Sequence, residues 1–223
     1  MEKEFLSTLS DAERAALVAQ GRRRSLPRGA TLITEGTRSS EVYAVLSGHL
    51  KVFSTTDRGG EVVLAVRGPG ALLGELAAID DEPRAASVCA IEPVEVLAVA
   101  APAFTRFLRD NPAVMLMLMR TLTGRLRDAD RKGVEFGAYD AVSRVALRLV
   151  ELAERFGEAT DDGVVITLPF TQDELASWVG ASREAVVKAL RTLRTLGYVR
   201  MQRRSVVVCD VPALRRRAGL AGY

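Results

Sequence analysis

The stretch T-Q-D-E-L-A-S-W-V-G-A-S-R-E-A-V-V-K-A-L-R-T-L-R-T-L-G, Thr171 to Gly197, leaves little freedom in how this end of the chain folds. Thr171 and Glu174 have the T-x-x-E spacing of a capping box, so a short helix starts there with Leu175, Ala176 and Val179 on its buried face. Gly180 permits a sharp turn. Ser182 can cap a second helix from Arg183 to about Leu196, with Gly197 at its C-terminal boundary. Two helices joined in this way form a helix–turn–helix. In the second, Val186, Ala189, Leu190 and Leu193 make the inward stripe, which leaves Arg183, Glu184, Lys188 and Arg191 outward.

An exposed, mostly basic face at the start of such a helix suits the major groove of duplex DNA. Arginine can bond guanine O6 and N7 through two N–H groups, glutamate can accept from cytosine N4, and lysine can reach a guanine or a phosphate. Thr171, Asp173 and Ser182, at the two helix starts, join Arg183, Glu184, Lys188 and Arg191 in the predicted DNA-contacting set. Downstream, Y-V-R-M-Q-R-R-S-V-V-V reads as a hairpin whose tip, with Arg203 and Arg204, has the form of a wing gripping backbone phosphate. Charge agrees: residues 163–223 hold ten basic and four acidic side chains, net +6, whereas residues 1–137 hold 18 of each. A helical hairpin with solvated charges is the plainer alternative. The tail Arg215-Arg216-Arg217 either adds sequence-blind attraction or is a solvated helix end. Trp178 reads as packing.

Upstream lies a different pattern. After a leading helix in T-L-S-D-A-E-R-A-A-L come short β-rich segments, A-T-L-I-T-E-G, E-V-Y-A-V-L-S-G, H-L-K-V-F-S-T-T, E-V-V-L-A-V-R-G-P-G and V-E-V-L-A-V, separated by glycines. Strands of this length and spacing predict an antiparallel barrel or jelly roll, a shape that encloses small ligands. Pro102 and Pro112 then open helices. The longer runs from about Pro112 to Phe136 and carries Met115, Met119, Leu122, Leu126, Ala129, Gly133 and Phe136 at alternating spacings of four and three. That is a heptad seam. It either pairs with a second copy or lies on its own roll, and we read it as the dimer helix. The fold class is α+β: a roll over residues 1–110, a dimerisation helix and hinge over 111–137, and a winged helix–turn–helix over 138–223, with the hinge at Gly133 to Tyr139.

The two cysteines, Cys89 and Cys209, are too few and too far apart for a zinc or iron–sulfur site, so neither a metal nor a cofactor is expected. One histidine, no P-loop and no G-x-G-x-x-G leave no nucleophile–base arrangement for an enzyme. No apolar run is long enough for a membrane span, and the N-terminus lacks a signal-peptide layout, so we expect a cytoplasmic protein without a membrane partner.

Within the roll, G-E-L-A-A-I-D-D-E-P-R-A-A-S-V, Gly74 to Val88, sets a carboxylate beside a glycine and an arginine beside a proline in apolar surroundings. A roll with this segment, a seam helix and a winged helix–turn–helix resembles the cyclic-AMP receptor protein superfamily, the Crp/Fnr regulators, over nearly the whole chain. The segment resembles the phosphate-binding cassette of their cyclic-nucleotide domains. The resemblance implies that Arg84 meets the cyclic phosphate and Glu75 accepts from the free ribose hydroxyl. Backbone N–H groups near Ala85 and Ala86, and where Gly74, Glu75 and Leu76 open a short helix, would anchor the phosphate further.

Ala85 stands where cyclic-GMP-preferring relatives carry a hydroxyl, which leans toward cyclic AMP. Many bacterial cyclic-AMP receptors have serine there, so that contact is missing or moved to Ser87. The Thr-Ser pair that reaches adenine in the archetypal receptor falls on Ala129 and Asp130; Asp130 either accepts from the adenine amino group or faces water. The resemblance further implies a homodimer on an inverted-repeat operator, with RNA polymerase a candidate partner. The cluster-binding branch needs N-terminal cysteines and the haem branch a ligating histidine, which His49, after a turn, does not match. Two alternatives remain: a ligand-independent regulator whose pocket is filled by a Glu75–Arg84 ion pair, and a nucleotide-binding module acting by protein contact.

Overall fold

The computed structural model describes residues 4–38, 40–56, 59–167, 171–202 and 205–220. The chain divides into two compact units, Met1–Ala129 and Asp130–Tyr223, with the boundary inside one long helix. The first unit begins with α1 (Phe5–Thr8) and α2 (Asp11–Ala19), followed by β1 (Gly21–Leu26), β2 (Thr31–Ile33), β3 (Glu41–Ser47), β4 (Leu50–Thr55), β5 (Glu61–Arg67) and β6 (Leu72–Leu73). Next come α3 (Glu75–Asp80), β7 (Ser87–Ala90), β8 (Val94–Ala100), α4 (Ala101–Asp110) and α5 (Pro112–Ala138), which crosses the boundary. The second unit continues with α6 (Ala141–Phe156), β9 (Glu158–Thr160), β10 (Gly163–Ile166), α7 (Gln172–Val179), α8 (Arg183–Thr195), β11 (Val199–Met201), β12 (Val206–Val208) and α9 (Val211–Arg217).

Two antiparallel sheets, ordered β1-β8-β3-β6 and β2-β7-β4-β5, form the roll. Strand β3 explains its near-continuous apolar run. Tyr43 and Val45 join a core with Leu50, Val88 and Val96, while Val42 and Ala44 join a second core with Phe5, Leu17, Phe104 and Phe107. Side chains that alternate along a strand are thus buried on both faces. Strand β1 was not expected, because G-R-R-R-S-L offers almost no apolar alternation. Pairing with β8 creates it, and Arg22 and Arg23 meet Glu41 and Glu95 across the sheet at 2.9 and 3.1 Å.

Helix α5 has two different neighbouring faces, one packed on the roll and one exposed. Val114 and Leu118 are buried in the helix-side core of the roll, with Leu122 half-buried against it. Met115, Met119 and Leu126 stay exposed, at 40, 58 and 62%. The helix runs unbroken through Gly133 and Gly137; within the predicted hinge only Tyr139 lies beyond its end.

In the second unit β11-β12-β10-β9 form a small sheet beside α6 to α9. Strands β11 and β12 are the expected hairpin, closed by Gln202 N–H donating to the Ser205 carbonyl at 2.9 Å. Arg203 and Arg204, the predicted phosphate contacts at its tip, lie outside the described residues; so does the Leu168–Phe170 end of V-V-I-T-L-P-F, a run that reads as a strand before α7. The basic tail makes ion pairs that its sequence did not announce. Arg215 donates to Glu154 at 2.9 Å, and Arg217 donates to Ser143 Oγ and Asp140 Oδ2 at 2.5 and 2.9 Å, so two of its three arginines fasten α9 to α6.

Asp140 caps α6 by accepting from Ser143 N–H at 2.7 Å. That bond, with the Arg217 contact, holds its carboxyl down to about 2, against 3.8 ordinarily. A carboxylate whose pKa is depressed by folding stabilises the fold above its unfolded pKa and loses that contribution as pH falls through the folded one. The window is therefore from just below pH 4 down to about 2. Asp140→Ala should cost about 1 kcal/mol at neutral pH, as N-cap removals do. Thermal melts from pH 7 to 2 should show the variant and the parent converging at the acid end.

Candidate functional site

The cassette predicted in the roll is assembled around a glycine. Gly74 has φ +78°, ahead of the short helix α3, and a Cβ there would sit 2.1 Å from Arg84 Nη1. No other residue lets the guanidinium lie across this backbone. Arg84 is 3% exposed; its Nη1 donates to the Gly74 carbonyl at 2.7 Å and its Nη2 to the Glu41 carbonyl. Burial lowers its pKa, against the opposing pull of Tyr43, Glu75 and Glu41, and an arginine so placed remains a cation. Its backbone is pinned as well, N–H to the Thr37 carbonyl and C=O from Gly36 N–H, both at 2.9 Å.

Glu75 is 2% exposed. One oxygen, Oε1, accepts from Arg125 Nη1 at 2.5 Å, while the other, Oε2, is buried with no hydrogen-bond partner among the described residues. A buried acceptor left unpaired costs about 1–3 kcal/mol, so this oxygen is a place where a ligand hydroxyl gains more than an average hydrogen bond. In the sequence Arg125 stands at the flank of the α5 seam, one position before Leu126. The structure instead turns it onto the cassette, where Nη2 also donates to the Leu72 carbonyl at 3.0 Å. The available signal was its spacing of four from Ala129, which puts both on one side of the helix.

The remaining predicted ligand residues are distributed unevenly. Ala85 is exposed and Ala86 half-buried in the bend before β7, and Leu76 is exposed on α3. Ser87 is buried at the start of β7, its hydroxyl accepting from Glu35 N–H at 3.0 Å. Ala129 and Asp130 are exposed on α5.

In the second unit the two helix starts form as the sequence predicts. Thr171 and Glu174 make the reciprocal capping box, and Ser182 Oγ accepts from Ala185 N–H at 3.2 Å. Gly180 caps α7 in the left-handed region, with φ +60°, and the ring of Phe136 lies where its Cβ would be. Phe136, predicted in the dimer seam, thus packs on the turn between α7 and α8. Val186, Ala189, Leu190 and Leu193 are buried, and Arg183, Glu184, Lys188 and Arg191 share one exposed face with Val187. Asp173 sits at its edge, 3.8 Å from Arg183. Hydrogen bonds from its own backbone N–H and from Ser182 keep the Glu184 carboxyl below its usual range, so it is an acceptor at neutral pH.

Comparison with known proteins covers both regions. Residues 23–111 match the cyclic nucleotide-binding domain and residues 143–217 the Crp-like helix–turn–helix domain. The chain is 35% identical to the CRP-like cAMP-activated global transcriptional regulator of Mycobacterium tuberculosis, over 92% of this chain and 91% of that protein. It is 34% identical to the cyclic AMP receptor protein of Thermus thermophilus, over 89% of each. Among solved structures, a CooA variant from Carboxydothermus hydrogenoformans shares the fold with a TM-score of 0.79, at 22% identity over 98% of this chain and 97% of that one. The winged helix–turn–helix, the cassette around Arg84 and Glu75 and these likenesses agree: the chain belongs to the Crp/Fnr family of DNA-binding transcription regulators, with a cyclic nucleotide-binding domain ahead of its DNA-binding domain.

Proposed function

We propose that the protein is a cytoplasmic homodimer whose affinity for an inverted-repeat operator is set by a cyclic nucleotide, cyclic AMP in preference to cyclic GMP. The observation that carries this reading is the unpaired, buried Oε2 of Glu75 in the same cassette as the buried Arg84 cation. A cyclic nucleotide brings one phosphate anion and one ribose hydroxyl a few ångströms apart, which matches that pair of groups. Ala85, next to Arg84, offers no hydroxyl for the guanine amino group, and the exposed Asp130 is the candidate acceptor for the adenine amino group. The M. tuberculosis relative is named as cAMP-activated, which supports the same choice.

The exposed stripe of Met115, Met119 and Leu126 on α5 supports pairing with a second copy, since methionine and leucine at seam spacing gain by leaving water. Two recognition helices must then meet successive major grooves about 34 Å apart. A nucleotide that prefers the competent arrangement raises operator affinity; typical coupling of about 1–3 kcal/mol is roughly 5- to 150-fold. Contact with RNA polymerase at the operator belongs to the same reading.

Calorimetric titration with cyclic AMP and cyclic GMP, followed by selection of bound DNA from a random pool with and without cyclic AMP, tests it. We expect tighter binding of cyclic AMP and an enriched palindrome that depends on it. Absent binding of both nucleotides with an enriched palindrome would favour a ligand-independent regulator. Within the enriched site, Arg183→Ala should cost about 1–3 kcal/mol at one base position, while Arg204→Ala should weaken all sequences alike and flatten the salt dependence. Identical behaviour of the two variants on selected and random duplexes would sink the recognition-helix assignment.

A further inference from the structure

We infer that Val187 reads a thymine, its methyl groups packing on the C5 methyl of that base, an inference that rests on α8 being the recognition helix. Val186, Ala189, Leu190 and Leu193 fill the buried side of α8, so the fold has no use for a further apolar side chain on this helix. Val187 is nonetheless there, 43% exposed, and it stands among charges: Arg183, Glu184, Lys188 and Arg191 line the same surface concavity. It lies four residues after Arg183 and four before Arg191, at the middle of one row along the helix.

A single exposed apolar residue is ordinary on a protein surface. Its place on this surface is what matters. Valine inside a helix is less favourable than alanine, because branching at Cβ restricts the side chain, so helix stability does not account for it. The same branching leaves one strongly preferred χ1 rotamer in a helix, which fixes where the two methyl groups point. Neither can donate or accept a hydrogen bond.

The major-groove edges of guanine, cytosine and adenine are read through donors and acceptors, whereas thymine adds a methyl group. An aliphatic side chain held against a polar edge strips its water and returns no hydrogen bond, which lowers affinity. Against the thymine methyl it removes apolar surface from water on both sides. Val187 therefore discriminates by both effects. Its neighbours take the polar positions: Glu184, whose carboxyl is kept below its usual range, is an acceptor, and Arg183, Lys188 and Arg191 are donors. Among these five residues Val187 alone has neither capacity.

The test uses the full-length protein, first to enrich a duplex from a random pool and then to bind versions in which each thymine in turn is replaced by deoxyuridine. That change removes one methyl group and keeps every hydrogen bond. Burying one such carbon contributes about fourfold in affinity, so the parent should lose about that much at one thymine position and little at the others. Val187→Ala should melt within a few degrees of the parent and be indifferent to deoxyuridine at that position. Cytosine placed there should weaken the parent further, and 5-methylcytosine should recover about fourfold of that loss. This last comparison uses the parent alone, so it decides whatever the stability of the variant.

A parent indifferent to deoxyuridine at every thymine overturns the inference, and so does a Val187→Ala variant that keeps the parent's penalty. Failure of the underlying reading looks different. If Arg183→Ala leaves base preference unchanged at every position, α8 is not the recognition helix and the thymine contact falls with it. If Arg183→Ala shifts a preference while deoxyuridine is tolerated everywhere, α8 keeps its role and only the thymine contact is lost. A pool that enriches no sequence removes both.

Discussion

Replacing Glu135 alone with alanine should destabilise the DNA-binding unit by about 3 kcal/mol. Glu135 is buried against the buried Arg148 guanidinium of α6, which also meets Glu151. Breaking one side of such a pair costs roughly 3–5 kcal/mol because a charge is left without its partner, and Glu151 stays with Arg148 to keep the loss near the lower figure. For a unit of this size the melting midpoint should fall by more than about 10 °C. Differential scanning calorimetry of the full chain measures it, with the transition of the roll as internal reference. A loss under about 1 kcal/mol would mean that Arg148 reaches water once Glu135 is gone, contrary to its burial.

The second large effect is in the cassette. Arg84→Ala should weaken cyclic AMP binding by about 100-fold or more: a hydrogen bond to a charged group contributes roughly 1.5–3 kcal/mol, and the guanidinium can offer the phosphate two. Gly74→Ala should act almost as strongly without touching a charge. Its Cβ would stand 2.1 Å from Arg84 Nη1, and the left-handed backbone at φ +78° costs an alanine roughly 1–2 kcal/mol more. Calorimetry with cyclic AMP, alongside a melt to confirm folding, separates lost affinity from lost structure. Unchanged affinity in Arg84→Ala would remove the phosphate assignment.

The parts that sequence made legible are those governed by local rules. The capping box at Thr171, the cap at Ser182, the turn at Gly180 and the inward stripe of α8 all follow from spacing along one helix, and the structure has them where the residues put them. The glycine beside Glu75 was legible for the same reason. What stayed hidden depends on residues far apart in the chain. Arg125 reads as the flank of a seam until the fold brings it to Glu75, fifty positions earlier. Strand β1 has no pattern of its own and exists because β8 supplies hydrogen bonds and Glu41 and Glu95 supply charge. Arg148 and Glu135 each look like ordinary solvated charges on a helix, and only packing turns them inward.

The arginines of the C-terminal region have a consequence for how tightly the protein follows ionic strength. Each phosphate neutralised on duplex DNA releases counterions and contributes about 0.9 to the slope of log affinity against log salt. A tally of positive residues overstates that slope, because Arg200, Arg215 and Arg217 already face Asp162, Glu154 and Asp140. Operator binding should therefore resist potassium chloride better than the +6 of this region suggests, with more of its free energy held in contacts to bases.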